Sequence, residues 1–145
     1  MSAYLKRMAE NVFSNPGPNG VNMEASEKYI DVCEAYALSF PEDAMAAEYL
    51  FRASEIARAI GSYPKAMSLY DWIHIYFPKS DKASLAVFFK GFLLDSELGN
   101  KDEAKKVYEK FLNNYPQDSM ARSVRFLLEN LGKSDAEIIK QLEQK

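Results

Sequence analysis

The segment GNKDEAKKVYEKFLNNYP, residues 99–116, repeats the pattern of GSYPKAMSLYDWIHIYFP, residues 61–78. Both segments begin with glycine, have alanine and tyrosine at matching positions, and end with an aromatic residue followed by proline. A third such pair ends at Pro41, so that Pro41, Pro78 and Pro116 are separated by 37 and then 38 residues. Self-similarity at this period is typical of stacked helical repeats.

The match between the segments extends back along a whole helix. Apolar, aromatic or small residues stand twelve, eight and five positions before each proline. They are Tyr29, Cys33 and Tyr36 before the first proline, Ala66, Tyr70 and Ile73 before the second, and Ala104, Tyr108 and Phe111 before the third. Spacings of four and three residues place such side chains on one face of an α-helix. We therefore expect each of the three faces to be buried against a neighbouring helix.

Residues that begin and end helices recur at matching positions. Two residues after each proline stands a good N-cap for the next helix, namely Asp43, Ser80 and Asp118. Gly61, Gly99 and Gly132 stand where a helix ends in a left-handed residue, and Ser134 with Glu137 forms a capping box. The pattern predicts helices near 3–13, 24–39, 44–60, 64–76, 81–98, 101–114, 119–131 and 135–143, with a loop at 14–20.

Residues 61–78 and 99–116 resemble one half of the tetratricopeptide repeat, G-x-Y-x-x-A-x-x-x-[YF]-x-x-[AIF] followed by proline. Two full units cover about 42–116, and half-units extend the resemblance from about 24 to 143. The period exceeds the usual length of about 34 residues, and Lys101 stands in place of an aromatic residue. The resemblance implies an all-α fold, a right-handed α-α superhelix of tetratricopeptide type with about eight helices.

The expected organisation is a single tetratricopeptide-like domain over residues 1–145. Its parts are an N-terminal helix and loop (1–22), a half-unit (23–41), two units (42–78 and 79–116) and C-terminal capping helices (117–145).

The long units that end in an aromatic-proline pair are similar to those of bacterial cell-envelope repeat proteins, including the lipoprotein of the outer-membrane β-barrel assembly machine. This similarity implies a place in an envelope complex. If a signal or lipid anchor preceded Met1, the expected location is the periplasm or the outer membrane; otherwise it is the cytoplasm.

Composition and motifs exclude several classes of function. The net charge of −3, with no basic cluster, argues against nucleic acid as a partner. No segment approaches the length of apolar sequence that spans a membrane. The chain has one histidine, His74, and one cysteine, Cys33, and lacks nucleotide-binding and hydrolase motifs. We therefore expect a non-catalytic protein that uses no cofactor and no metal.

The resemblance implies that the first helix of each pair lines a concave surface that binds a protein or peptide. Phe51 and Phe89 occupy equivalent positions in their units, with charged residues beside them. The predicted binding residues on this concave face are Glu48, Phe51, Glu55, Arg58, Phe89, Lys90 and Leu93. The alternative is that both phenylalanines pack between helices.

A second candidate surface lies on the helix that precedes Pro78. Trp72, Ile75 and Tyr76 stand at helical spacing and should form one apolar patch. Their counterparts in the next unit are polar: Lys110, Asn113 and Asn114. Either the apolar N-terminal helix covers this patch, or the patch contacts a partner or a second copy of the chain. The function expected first is a protein- or peptide-binding scaffold, and the alternative is self-association as a homodimer.

Overall fold

The structure, a computed structural model, describes residues 2–14, 20 and 22–144. These residues form α-helices joined by short turns, with one π-helical turn and no strand. The helices are α1 (Ser2–Val12), α2 (Met23–Ser39), α3 (Met45–Ala59), α4 (Tyr63–Tyr76), α5 (Lys82–Phe92), α6 (Lys101–Asn114), α7 (Ala121–Glu129) and α8 (Asp135–Glu143), and the π-helical turn is Leu93–Glu97. The predicted all-α fold is confirmed, and residues 15–19 of the predicted loop lie outside the described residues.

The chain divides into two compact units, residues 1–86 and 87–145. In the first unit α1 packs on α2, and α3 packs on both α2 and α4. The predicted apolar faces of α2 and α4 are buried there, since Cys33 and Ile73 have no exposed surface and Tyr70 almost none. From α1, Leu5 and Val12 are buried as well. This packing fixes the C-terminal ends of α2 and α4 within the same unit.

In the second unit α6 packs on α7 and on the π-helical turn. The predicted apolar face of α6 is completely buried, including Tyr108 and Phe111. Gly91 faces the Tyr108 ring so closely that a Cβ at this position would lie 2.6 Å from the ring atom Cε1. Helix α8, in contrast, has no buried residue. The core of this unit is therefore formed by α6 and its neighbours and does not involve α8.

The turns that follow Pro41, Pro78 and Pro116 use one hydrogen-bond pattern. In the first turn the Asp43 backbone N–H donates to the Phe40 carbonyl at 3.1 Å, and the Asp43 carboxylate accepts from the Met45 N–H at 2.9 Å. The same side-chain bonds join Ser80 to the Lys82 N–H (3.1 Å) and Asp118 to the Met120 N–H (2.9 Å). The three predicted capping residues thus bond the backbone close to the start of the next helix. The N-cap positions of α3 and α7 themselves are Ala44 and Met120, whose side chains make no capping bond.

The other predicted helix ends are close to the observed ones. Gly61, Gly99 and Gly132 have φ values of 77°, 62° and 81°, the left-handed region that ends a helix. The Ser134 hydroxyl accepts from the Glu137 N–H at 3.2 Å and so begins α8 as predicted.

The prediction of one continuous α-helix over 81–98 is wrong in its last turns. There the Leu98 N–H donates to the carbonyl of Leu93, five residues back, at 3.0 Å. The wider turn keeps Leu93 and Leu94 buried and places the Asp95 carboxylate 3.2 Å from the Tyr108 hydroxyl, which donates to it. The Lys101 ammonium also bonds this carboxylate.

Candidate functional site

The residues of the predicted concave face in the first unit are largely engaged within that unit. Phe51 is only 7% exposed, and the Lys82 ammonium lies 5.1 Å from the centre of its ring. The Glu48 carboxylate pairs with the Arg52 guanidinium at 3.0 Å and with the Lys82 ammonium at 3.4 Å. Because its ring is covered and its charged neighbours are paired, Phe51 offers a partner little surface. Glu55 is exposed and Arg58 is half-buried.

The predicted concave-face residues of the second unit differ in exposure. Leu93 has no exposed surface, so it has no atom that a partner could contact. Phe89 and Lys90 are half-buried, and the Phe89 ring packs edge-on against Phe88 with centroids 5.2 Å apart. In this unit Phe89 and Lys90 are therefore the accessible members of the predicted set.

The predicted apolar patch on α4 lies open at the surface. Ile75 is 61% exposed and Tyr76 is 72% exposed, while Trp72 is half-buried. Leu5 and Val12 of α1 are buried, yet the patch remains exposed. The N-terminal helix therefore does not cover it, and the first of the two alternatives from the sequence does not describe this structure.

Beside this patch lies a cleft of about 550 Å³, which we call the aromatic cleft. It is lined by Ala37, Leu38, Pro41, Glu42, Trp72, Tyr76 and Phe77. A second cavity of about 630 Å³ shares four of these residues and continues along the second aromatic-proline turn as far as Asp81. Leu38 is 72% exposed, as is Tyr76. The ends of α2 and α4 thus form an open groove with large apolar side chains at its edge.

Sequence reasoning found one side of this groove and missed the other. Leu38 stands 37 residues before Ile75, at the equivalent position of its unit, and is equally apolar. This equivalence was the feature of the sequence from which Leu38 could have been predicted at the groove. The position of Glu42 at the groove could not be read from the helix pattern, because it depends on how the turn after Pro41 folds.

Charged groups line the edge of the groove. The Asp43 carboxylate accepts a hydrogen bond from the Tyr36 hydroxyl and another from the Met45 N–H, and these bonds hold its pKa below the usual range. The carboxylates of Glu42 and Asp81 make no ion pair or side-chain hydrogen bond with any described residue. The unpaired acidic groups at this site are therefore Glu42 and Asp81.

The groups that could support catalysis do not form a reactive site. Cys33 is completely buried, and burial raises the pKa of its thiol to about 12, so the thiol is protonated at neutral pH. Burial also raises the pKa of Tyr29. Across residues 2–14, 20 and 22–144, no group of three or more His, Cys, Asp or Glu side chains is placed to hold a metal ion. In the same part of the chain, no helix has the length and apolar character needed to cross a membrane.

A further cavity, of about 440 Å³, lies between α7 and α8 in the second unit. Phe126 and Leu142 line it and are partly exposed. Most of its other lining residues are polar or charged: Glu129, Asn130, Lys133, Gln141 and Gln144. Its lining has one aromatic side chain, Phe126, whereas the aromatic cleft of the first unit has three, so it is the weaker candidate.

Comparison with known families matches residues 90–118 to the tetratricopeptide repeat. No curated protein and no solved structure matches the chain. The matched segment contains the end of α5, the π-helical turn, α6 and the third aromatic-proline turn, which includes one of the two segments from which the repeat was predicted. The described residues are thus all-α, and residues 90–118 are similar to the tetratricopeptide repeat, a type of repeat that generally mediates binding between proteins.

Proposed function

We propose that this chain is a non-catalytic scaffold that binds a protein or peptide segment in the aromatic cleft. The observation that carries the proposal is the joint exposure of Leu38 and Tyr76, 72% each, at the edge of a cleft of about 550 Å³. Large apolar side chains that are exposed together are typical of interaction sites. Tyrosine and tryptophan are also the residues most often found as binding anchors.

The cleft suits a partner side chain that enters between the two helix ends. Trp72 is half-buried, whereas Leu38 and Tyr76 are each 72% exposed and offer most of their surface to a bound group. Removal of a true anchor at such a site costs about 2 kcal/mol or more of binding free energy. Truncation of Tyr76 should therefore weaken binding by about thirtyfold.

The predicted concave-face residues remain proposed contact residues within each unit, with a reduced set in each. The accessible ones are Glu48, Glu55 and Arg58 in the first unit and Phe89 and Lys90 in the second. Phe51 and Leu93, which belong to the predicted set, are buried and contribute through packing.

Self-association is the second candidate function, and the exposure of Ile75 favours it. This side chain is 61% exposed next to Tyr76, so two copies could bury both patches against each other. Sedimentation velocity of the wild type and of Ile75→Ser tests this. A dimer that dissociates in the variant supports self-association, whereas a monomeric wild type at high concentration excludes it.

The proposed place in a bacterial envelope complex rests on the long repeat units alone. Fractionation of cells of the native source, with an antibody against the chain, tests the location. Recovery in the periplasm or outer membrane supports the proposal, and recovery in the cytoplasm contradicts it.

Affinity capture from the native source tests the binding function itself. We would compare the wild type with Leu38→Ser/Tyr76→Ser and with the matched control Phe13→Ser/Ile139→Ser, which removes two side chains that are 63% and 55% exposed and that line none of the three cavities described above. Circular dichroism first confirms equal helicity. A protein captured by the wild type and the control but not by the cleft variant supports the proposal. Identical capture by all three contradicts it.

A further inference from the structure

We propose that the segment bound in the aromatic cleft is a stretch of a partner protein in which a lysine or arginine stands next to an apolar residue. This inference rests on the proposed function and adds the charge of the partner. It follows from the charges, the helix ends and the aromatic rings that meet at the groove.

The charges that line the two cavities are mainly negative. They comprise Glu42, Asp43 and Asp81 against one cation, Lys79. Asp43 is held by the Tyr36 hydroxyl and by a backbone N–H, whereas Glu42 and Asp81 have no partner among the described residues. Glu42 also lines the aromatic cleft, where it is the only charged residue of the lining. A cation bound there would gain an ion pair that the chain itself does not form.

Two helix ends add negative potential. Leu38 and Tyr76, which line the cleft, lie in the last turns of α2 and α4. The last carbonyls of a helix have no partner within the helix, and together they carry about half a negative charge. Basic residues often offset this charge, yet α2 has none in its last turn and α4 has only His74. An acidic segment would therefore meet like charge from both helix ends and from Glu42.

The aromatic side chains that line the cleft also favour a basic segment. The faces of tryptophan and tyrosine rings attract cations, and the long stems of lysine and arginine pack well on apolar surface. The same unit already pairs cations with rings in this way, at Lys82 over Phe51 (5.1 Å) and at Arg52 beside Tyr49 (5.7 Å). A basic side chain could lay its stem along Trp72 and Tyr76 with its charge at Glu42. An apolar neighbour in the partner would then contact Leu38.

Trp72 provides the measurement, because it is the single tryptophan of the chain and lines the cleft. The probes are three blocked decapeptides in which leucine alternates with arginine, with glutamate or with serine. We expect the arginine decapeptide to change the Trp72 fluorescence and to bind at least about tenfold more tightly than the glutamate decapeptide. Binding of the arginine decapeptide should weaken as salt is added, because salt screens exposed charges.

Two variants then test whether the carboxylates at the groove cause the preference for a basic peptide. Glu42→Gln/Asp81→Asn should lower the affinity for the arginine decapeptide about two- to fivefold for each carboxylate, as for exposed ion pairs. The matched control Glu10→Gln/Glu27→Gln also removes two exposed carboxylates from the first unit, away from both cavities, and should leave the affinity unchanged.

The outcomes separate this inference from the proposed function. If the three decapeptides bind equally well and Leu38→Ser/Tyr76→Ser abolishes their binding, the cation preference is wrong and the binding site stands. If the arginine decapeptide binds this cleft variant as well as it binds the wild type, the site itself is wrong. If the arginine decapeptide does not bind the wild type, or if the control variant loses as much affinity as Glu42→Gln/Asp81→Asn, the inference is overturned.

Discussion

Replacement of Gly91 by alanine should destabilise the second unit, although alanine is the better helix former. Gly91 lies in α5, and an ideal Cβ added there would be 2.6 Å from Cε1 and 2.8 Å from Cδ1 of Tyr108. Carbon atoms pack at about 3.5–4.0 Å, so the ring and the helix would have to separate by about 1 Å. Tyr108 has no exposed surface and its hydroxyl bonds Asp95 at 3.2 Å, which leaves the ring little freedom to move.

The expected size of the effect follows from two opposing terms. Glycine to alanine within a helix gains about 1 kcal/mol from helix propensity. Overpacking of a closed core costs about 1–3 kcal/mol, and the upper part of this range applies because the clash involves two atoms of a rigid ring. We therefore expect a net loss of about 1–2 kcal/mol in the free energy of unfolding for Gly91→Ala.

Urea unfolding followed by far-ultraviolet circular dichroism measures this loss, and a double-mutant cycle with Tyr108→Leu assigns its cause. Leucine has no ring edge, and its methyl groups can rotate away from the new Cβ. In that background Gly91→Ala should cost less than half as much as in the wild type. The control Gly61→Ala, where nothing lies within 4 Å of an added Cβ, strains only the left-handed backbone and should cost the same in both backgrounds.

Two results would refute this reasoning. A Gly91→Ala variant that is more stable than the wild type would show that the helices separate at little cost. A destabilisation of equal size in the Tyr108→Leu background would show that the clash with the ring is not its cause.

Three further changes should be measurable by the same unfolding assay. Burial raises the pKa of the Cys33 thiol to about 12 in the folded chain, so its contribution to stability is complete below the ordinary pKa of a thiol. Between that pKa and about pH 12, the free energy of unfolding should fall by about 1 kcal/mol per pH unit. Cys33→Ala should lack this contribution to the loss of stability at alkaline pH. Glu48→Gln removes a half-buried charge paired with Lys82 at 3.4 Å and should cost at most about 1 kcal/mol, with a smaller cost in high salt. Asp95→Ala removes the acceptor of the buried Tyr108 hydroxyl and should cost about 1–3 kcal/mol, more than Tyr108→Phe, which removes the hydroxyl as well as its bond.

The repeated features of the fold were readable from the sequence because each is a local rule. An apolar face of a helix, a proline after the helix and a capping residue two positions later depend only on spacing along the chain. The structure bears these out at Cys33, Tyr70 and Tyr108, which are buried, and at Asp43 and Ser80, whose side chains bond the first backbone N–H of α3 and of α5.

The features that were missed depend on contacts between distant residues. The π-helical turn after α5 adds one residue to a helical turn, and whether Leu93 and Leu94 are better buried that way depends on α6 and not on their own helix propensity. Phe51 lies on the predicted face of its helix, but the Lys82 side chain, from the start of another helix, covers its ring. Helical spacing predicts which face of the helix a residue lies on, whereas the exposure of that residue depends on which side chains pack against the face.

The three similar turns also determine how the chain could be lengthened. Each turn joins its helices with the same backbone bonds, from Asp43 to Phe40, from Ser80 to Phe77 and from Asp118 to Tyr115. If a copy of residues 42–78 were inserted after Pro78, each of the two junctions would again have a capping residue three positions after an aromatic residue. The same backbone hydrogen bond would therefore form at both junctions. Duplication of a whole unit, in the gene or in the laboratory, can add helices here without the invention of a new connection.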